Sequence, residues 1–341
     1  MHYLTVGPAK INQNTKNKLI ELASSDILSE SHRGEHFGKA ISDCITWLRK
    51  YLKIPKNYGI VFASSATESM EIIAKNTVYK NSDHLVTWVF SDRLYKVMKT
   101  NGIDTQLSDI DSLQTGSDDA KIICLTENET SASHQLPKDL LSNIRTNNPN
   151  AFIAIDTTSS AGVVEHDYSL WDYWFFSVQK GFGLPSGLWV IIYNTEKIHE
   201  LSDNHTGFLR NFENMIENYG SLKTPETPNM IGYYLLADRL NQLLKKWDIH
   251  DIYNDTLEKS HFFYNHINKD FLIGWDYMSD TVFILQWDSD TISKLKEAFT
   301  KNNLIVSDGY GEMKATQLRI ANFENNTLEE IQKLLEIANN I

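Results

Sequence analysis

The 341-residue sequence contains only two cysteines, Cys44 and Cys124, and both lie in apolar stretches. Small secreted domains use many paired cysteines, whereas a thiol among apolar residues is usually a buried core group. The cysteine content therefore argues against a disulfide framework. We expect two free, buried thiols in a protein of a reducing compartment.

Long apolar runs are also missing from the sequence. No run approaches the roughly 18 residues that a membrane-spanning helix needs. The first residues, MHYLTVGPAKINQN, lack the apolar centre of a secretory signal peptide. These absences lead us to expect a cytoplasmic protein with no membrane partner.

Positive charge is scarce, since 32 Lys and Arg stand against 44 Asp and Glu, which gives a net charge of -12. Binding of nucleic acid depends on clustered basic side chains, and no such cluster is present. An acidic surface still permits small anionic substrates, because a few arginines in a cleft can dominate the local field. We expect small-molecule substrates and no nucleic-acid partner.

Short apolar runs alternate with helical patterns through most of the chain. The run at 59–63 leads through the polar turn 64–67 into a helical pattern, and further runs lie at 84–90, 121–125, 151–155, 174–178 and 188–193. Strands that alternate with helices predict an α/β fold with a mainly parallel sheet covered by helices. Ligands of such sheets bind at the carboxyl ends of the strands.

Beyond residue 235 helical patterns dominate, with strand-like stretches at 281–287 and 317–323 between them. This pattern indicates a smaller α+β domain. We predict a large domain over 1–238 and a small C-terminal domain over 239–341, with the N-terminal segment packing near the small domain.

Lys180 stands in SVQKGFGLPSGL, directly after a predicted strand. A lysine in an apolar pocket loses its proton more readily, which Schiff-base chemistry requires. A lysine at a strand end is more often a surface residue whose stem covers apolar atoms. The local sequence leaves both interpretations open.

Asp156 closes the predicted strand 151–155, where its carboxylate could pair with the cationic ring nitrogen of a cofactor. The alternative is an ordinary turn or helix cap. The segment 64–67 precedes a helix, so its backbone N–H groups could bind a phosphate, although such joints are common without one.

His32, Arg33 and Arg319 are the candidates for binding anionic substrate groups, because guanidinium groups bind carboxylates through two hydrogen bonds. Each could equally belong to a surface ion pair. His32 and His36 have the spacing of zinc-binding helices, but a third ligand is missing, so no metal site is predicted.

Together these motifs resemble the class-V pyridoxal-phosphate-dependent aminotransferases of fold type I, and within that family the phosphoserine aminotransferases. The resemblance runs in order along nearly the whole chain. Its parts are VGPA at 6–9, SHRGEHF at 31–37, SSATESME at 64–71, VFSDR at 89–93, NETS at 128–131, DTTSS at 156–160, SVQKGFGLPSGL at 177–188, TPETP at 224–228 and LRIANF at 318–323.

The resemblance implies that Lys180 carries pyridoxal 5'-phosphate as a Schiff base and moves a proton during catalysis. It also implies that Asp156 pairs with the ring nitrogen, that Thr130 binds near the ring's 3-oxygen and that Phe90 stacks on the ring. The phosphate would be held by Ser65, Ala66, Thr67 and Gln179, and by Thr224 of a neighbouring subunit in a homodimer.

By the same resemblance Arg319 would bind the substrate α-carboxylate, and His32 and Arg33 the side-chain anion of glutamate or phosphoserine. The implied reaction converts phosphoserine and 2-oxoglutarate to 3-phosphohydroxypyruvate and glutamate, a step of serine biosynthesis.

The sequence departs from the family pattern at several positions. Glu312 and Met313 stand where bacterial phosphoserine aminotransferases have a His-Arg pair, with Lys314 the only nearby cation. Phe90 stands where Trp is frequent, Val6 where Ser is frequent, and SSATES replaces a glycine-rich turn. An alternative is therefore a class-V aminotransferase for serine or alanine, with glyoxylate or pyruvate as acceptor. A catalytically silent relative is disfavoured because both Lys180 and Asp156 are retained.

Overall fold

The computed structural model describes residues 1–116, 121–201, 208–274 and 276–341. The helices in these ranges are α1 (Gln13–Ala23), α2 (Glu35–Tyr51), α3 (Ala66–Asn76), α4 (Val89–Thr100), α5 (Ile110–Thr115), α6 (Lys138–Asn147), α7 (Phe212–Gly220), α8 (Met230–Lys246), α9 (Ile249–His266), α10 (Ser289–Lys301) and α11 (Leu328–Ala338). The strands are β1 (His2–Leu4), β2 (Tyr58–Ala63), β3 (Asn81–His84), β4 (Asp104–Leu107), β5 (Ile122–Thr126), β6 (Asn128–Glu129), β7 (His134–Gln135), β8 (Phe152–Asp156), β9 (Tyr173–Ser177), β10 (Trp189–Asn194), β11 (Val282–Gln286), β12 (Leu304–Asp308) and β13 (Gln317–Ala321).

A mainly parallel sheet with the strand order β2-β10-β9-β8-β5-β3-β4 forms the centre of the molecule. The pairs from β9 to β4 are parallel, and β10 is antiparallel to both of its neighbours. Every residue of β5, β8 and β9 is buried, which explains why these strands read as continuous apolar runs. The predicted α/β class is confirmed.

The direction of the strands brings distant parts of the chain to one edge of this sheet. Thr126 and Asp156 end β5 and β8 and are paired in register. Because β10 is antiparallel to β9 and β2, its first residue, Trp189, lies at the same edge as the ends of those two strands. The loop after β9, with Lys180, and the start of α3 therefore lie there too.

The strand predicted over 84–90 is wrong in its bounds. β3 ends at His84, and α4 has already begun at Val89. The helix begins there because the buried carboxylate of Glu129 accepts hydrogen bonds from the N–H groups of Phe90 and Ser91, at 2.9–3.2 Å. These first-turn groups have no partner within the helix, so a distant acid decides its start.

A second sheet has the order β1-β12-β13-β11. The predicted strand-like stretches 281–287 and 317–323 contain β11 and β13, which pair antiparallel. β1 joins the same sheet beside β12, so the first residues of the chain pair with residues near its C-terminal end. The division into domains at residues 238 and 239 stays a prediction.

Both cysteines are free and buried, as the sequence predicts. Within the described ranges, no helix combines the length and the apolar character needed to cross a membrane.

Candidate active site

A cavity of about 330 Å³ opens at the carboxyl edge of the central sheet, where residues of the second sheet also reach it. Val6, Gly7 and Pro8 cross between the two sheets and form part of its wall. The predicted site residues that line it are Ala66, Phe90, Thr130, Asp156, Gln179, Lys180 and Arg319. The structure thus gathers residues from six separate segments around one volume.

Lys180 is buried, with only 8% of its surface exposed. Its Nζ donates hydrogen bonds to Thr130 Oγ1 at 2.5 Å and to Ser159 Oγ at 2.9 Å, and it lies 5.5 Å from the centre of the Phe90 ring. Burial lowers the pKa of Lys180, and the charge of Asp156 opposes this shift. The surface interpretation of Lys180 is thereby excluded, and its amine is held in a fixed direction.

Asp156 is the last residue of β8 and is also buried. Its Oδ1 accepts a hydrogen bond from the Thr158 N–H at 2.8 Å, so the carboxylate also stabilises the turn that follows the strand. Burial raises the pKa of Asp156, while the Thr158 hydrogen bonds and the Lys180 charge oppose the increase. A nearby cation would hold this carboxyl group in its charged form.

Phe90 projects from the first turn of α4 and lines the cavity. Its ring centre lies 5.2 Å from that of Tyr310, which follows β12 in the second sheet. Phe90 and Tyr310 thus place two aromatic rings on the wall, one from α4 and one from the segment after β12.

The start of α3 forms another part of the wall through Ala66. Ser65 caps this helix, because its hydroxyl accepts a hydrogen bond from the Glu68 N–H at 3.1 Å. The N–H groups of Ala66 and Thr67 belong to the first turn, where no helical partner exists for them. They are suited to an anion such as a phosphate.

Arg319 lies in the middle of β13, and its guanidinium reaches the cavity. Its Nε donates to the Asp308 carbonyl oxygen at 2.8 Å, the only hydrogen bond that its side chain makes within the described residues. The two Nη atoms are therefore available for a ligand. They suit a carboxylate, which accepts two parallel bonds from a guanidinium.

His32, Arg33, Ser65, Thr67 and Thr224 do not line the cavity of their own chain. Arg33 is exposed, and Thr224 donates to the Glu226 carbonyl oxygen at 2.7 Å. His32 and Arg33 precede α2, whose Phe37 packs on Tyr233 of α8 with ring centres 5.2 Å apart. Their roles stay predictions.

A pH series of amine acetylation on the cofactor-free protein tests the environment of Lys180. Only the neutral amine reacts, and a lowered pKa makes this form available at a lower pH than for an ordinary lysine. We expect the labelling midpoint of Lys180, followed by peptide mass spectrometry, to lie below those of the other lysines.

The variant Asp156→Asn supplies the control for this series. Because the Asp156 charge raises the pKa of Lys180, its removal should move the labelling midpoint to still lower pH. A Lys180 midpoint at or above that of the exposed lysines would contradict the assigned environment.

The sequence profile described as Aminotransferase class-V matches residues 5–275, which is most of the chain. The chain belongs to the class-V aminotransferases. It is therefore a pyridoxal-phosphate-dependent aminotransferase, as its sequence motifs predict.

Relatives of this class-V aminotransferase cover nearly its full length. The phosphoserine aminotransferase of Rhodococcus jostii is 23% identical over 349 residues, which span 96% of this chain and 91% of that one. Among solved structures, the phosphoserine aminotransferase of Cytophaga hutchinsonii has a TM-score of 0.89 and 30% identity, covering 99% and 98% of the two chains. An aspartate aminotransferase of Thermus thermophilus has a TM-score of 0.86 over 100% of both chains at 18% identity, which shows a shared fold alone.

The cavity of this aminotransferase fits pyridoxal phosphate in its donors and acceptors. Three buried side-chain oxygens on its wall, Thr126 Oγ1, Thr158 Oγ1 and Gln179 Oε1, have no hydrogen-bond partner within the described residues. Buried polar atoms are normally paired, so their presence together indicates a polar ligand. The Lys180 amine suits the aldehyde of the cofactor, and the Asp156 carboxylate suits its ring nitrogen. The N–H groups at the start of α3 suit its phosphate.

Sequence reasoning missed several residues that line the cavity or contact its lining. Ser159 binds the Lys180 amine and stands in the DTTSS motif, so a signal for it was present. Trp189 follows the Lys180 loop at the start of β10. Arg93 and Tyr310 also line the cavity. Arg93 ends the VFSDR motif, from which only Phe90 was predicted as a site residue, and Tyr310 lies in none of the motifs.

Proposed function

We propose that this aminotransferase converts phosphoserine and 2-oxoglutarate to 3-phosphohydroxypyruvate and glutamate, and catalyses the reverse reaction. We propose further that it acts as a cytoplasmic homodimer in serine biosynthesis. The observation that carries the proposal is Arg319, whose free Nη atoms share one cavity with Lys180 and Asp156. The 30% identity to the phosphoserine aminotransferase of Cytophaga hutchinsonii supports the choice of substrate.

Pyridoxal phosphate, when bound, supplies the electron-accepting ring that stabilises negative charge at the substrate Cα. Lys180 Nζ would hold the cofactor and move the proton at that carbon, directed by the Thr130 and Ser159 hydroxyls. Asp156 would keep a proton on the ring nitrogen. Arg319 would orient the α-carboxylate, so that the Cα proton lies within reach of Nζ.

The charge of the cavity wall favours an anionic substrate. Three cationic side chains line it, Arg93, Lys180 and Arg319, against the single carboxylate of Asp156. Attachment of the cofactor uses the Lys180 amine, and Asp156 would pair with the ring. Two guanidinium groups would then face the substrate, a number that suits a dianionic amino acid.

The homodimer is proposed on the position of His32, Arg33 and Thr224 outside the cavity of their own chain. A second subunit could bring these residues to the site. The exposed side chains of Leu222 and Ile231, 41% and 36% accessible, lie near Thr224 in sequence and suit an apolar interface. Sedimentation of the purified protein tests this, and a fully active monomer would contradict it.

A substrate panel tests the proposed reaction. The amino donors are phosphoserine, glutamate, serine and alanine, and the acceptors are 2-oxoglutarate, pyruvate and glyoxylate. The measured quantity is kcat/KM for each donor and acceptor. We expect phosphoserine with 2-oxoglutarate to exceed serine and alanine by orders of magnitude. Equal or higher kcat/KM values for serine or alanine would contradict the proposal. They would favour the alternative that Glu312 and Met313 suggest, a class-V aminotransferase for serine or alanine with glyoxylate or pyruvate as acceptor.

Arg319→Ala should raise the KM of every α-amino acid substrate by about 10- to 100-fold, because a charged hydrogen-bonded partner of the α-carboxylate is lost. Steady-state kinetics measure the effect. Lys301→Ala is the control, because Lys301 is an exposed cation that pairs with Glu297 at 2.7 Å outside the cavity. Unchanged KM values in Arg319→Ala would remove Arg319 from substrate binding.

A further inference from the structure

Arg93 lies in the second turn of α4 and lines the cavity from the side of the central sheet. Its Nη2 donates to the hydroxyl of Tyr310 at 3.1 Å, and its Cζ lies 5.4 Å from the centre of the Phe90 ring. Among the described residues, no carboxylate lies within ion-pair distance of Arg93. It is thus a half-buried guanidinium without an acidic partner.

Such a group is unusual for energetic reasons. A guanidinium has five N–H donors and remains charged, and removing it from water without an acid to pair with costs free energy. The hydrogen bond to Tyr310 uses one of these donors. The other donors are available at the wall of the cavity that Arg319 also lines.

Tyr310 connects Arg93 to Arg319. The Cζ atom of Arg319 lies 5.4 Å from the centre of the Tyr310 ring, and Arg93 binds the hydroxyl of the same side chain. The two guanidinium groups therefore approach different parts of one tyrosine on the same cavity wall. If Arg319 binds the α-carboxylate, Arg93 is placed to bind a second anionic group of the same substrate.

We propose that Arg93 is a specificity-determining residue that binds the side-chain anion of the substrate, a phosphate or a carboxylate, and so selects dianionic over monoanionic amino acids. This inference rests on the proposed function for the reaction and for the role of Arg319. It assigns to α4 of the same subunit a guanidinium that is absent at positions 312 and 313, where Glu312 and Met313 stand. A guanidinium partner favours substrates with the second anion, because only these form charge-assisted hydrogen bonds with it.

The experiment compares Arg93→Gln, Arg93→Lys and wild-type holoenzyme in the first half-reaction, followed by the absorption spectrum of the cofactor. The donors are phosphoserine, glutamate, alanine and serine. We expect Arg93→Gln to lower kcat/KM for phosphoserine and glutamate by about 10- to 100-fold, mainly through KM, and to leave alanine and serine unchanged. Arg93→Lys should recover part of the loss.

Lys99→Gln is the matched control, because it removes the same charge from an exposed position on the same helix outside the cavity. It should behave as wild type with all four donors. A general loss of folding in Arg93→Gln would lower all four values together, whereas the proposed role lowers only the dianionic pair.

Equal losses for all four donors in Arg93→Gln or Arg93→Lys protein that unfolds at the wild-type temperature, or no loss for phosphoserine and glutamate, would overturn the inference. Titration of the cofactor-free variant with pyridoxal phosphate is a second measurement. An affinity at least tenfold weaker than wild type would mean that Arg93 binds the cofactor's phosphate and would also overturn it.

The wild-type data separate this inference from the proposed function. Activity with glutamate but none with phosphoserine would refute the proposed substrate and leave the role of Arg93 intact. A preference for both dianionic donors that persists in Arg93→Gln would refute the role of Arg93 alone. A wild type without any preference for dianionic donors would refute both.

Discussion

Lys180→Ala should remove nearly all aminotransferase activity. The loss of proton transfer alone should lower kcat/KM by about 10²- to 10⁴-fold. The variant lacks the amine that attaches the cofactor, so the loss should exceed that range. The measurements are kcat/KM and the visible absorption band that the cofactor gains on attachment. Borohydride treatment should fix the cofactor to wild-type protein, and mass spectrometry should find no such addition in the variant.

Lys180→Arg is the matched control, because it keeps a cation at this position but cannot become a neutral amine in water. It should be as inactive as Lys180→Ala. A small primary amine added to Lys180→Ala should restore part of the proton transfer, since the cavity would have room for it. Substantial activity in either variant without added amine would place the reactive lysine elsewhere.

Asp156→Asn should lower the rate of both half-reactions on the order of 100- to 1,000-fold, a loss typical of removing one charge-stabilising group. Without the carboxylate, the cofactor's ring nitrogen loses the group that would keep it protonated. The fold should be unaffected, because asparagine Oδ1 can accept the Thr158 N–H bond that Asp156 accepts at 2.8 Å. Stopped-flow absorption measures the half-reactions, and thermal unfolding checks stability.

Asp167→Asn is the control for this substitution. Asp167 Oδ1 accepts the N–H of Ser169, two residues further along, at 2.9 Å, which is the same local arrangement at an exposed site. This variant should retain wild-type rates. Wild-type rates in Asp156→Asn as well would mean that the carboxylate has only the turn-forming role.

Much of the fold could be predicted because its signals are local. The runs at 121–125, 151–155, 174–178 and 188–193 match β5, β8, β9 and β10 within one or two residues. A fully buried parallel strand has apolar side chains on both faces, so it appears as an unbroken apolar run. The run at 84–90 misled because only its first residue, His84, belongs to a strand. The start of α4 depends on Glu129, about 40 residues further along.

The candidate site was predictable where a residue stands at a strand end or in a family motif. Lys180, Asp156, Thr130 and Arg319 were identified in this way and do line one cavity. Arg93 lies on a helical turn like many surface arginines, and its neighbour Tyr310 is more than 200 residues away. Its place in the VFSDR motif indicated the family but did not distinguish its side chain from an exposed charge.

Lys180 shows most clearly which properties of the site follow from the sequence and which follow from the tertiary structure. The sequence by itself predicted most of the strands and helices, the family and Lys180 as the candidate reactive lysine, because periodic apolar patterns and ordered motifs are local properties of the chain. Only the tertiary structure decided that Lys180 is buried against Thr130 and Ser159, and that Arg93 and Arg319 meet at Tyr310. These contacts depend on the order of strands in two sheets and on the direction of each side chain. Both are set by packing between segments far apart in the chain.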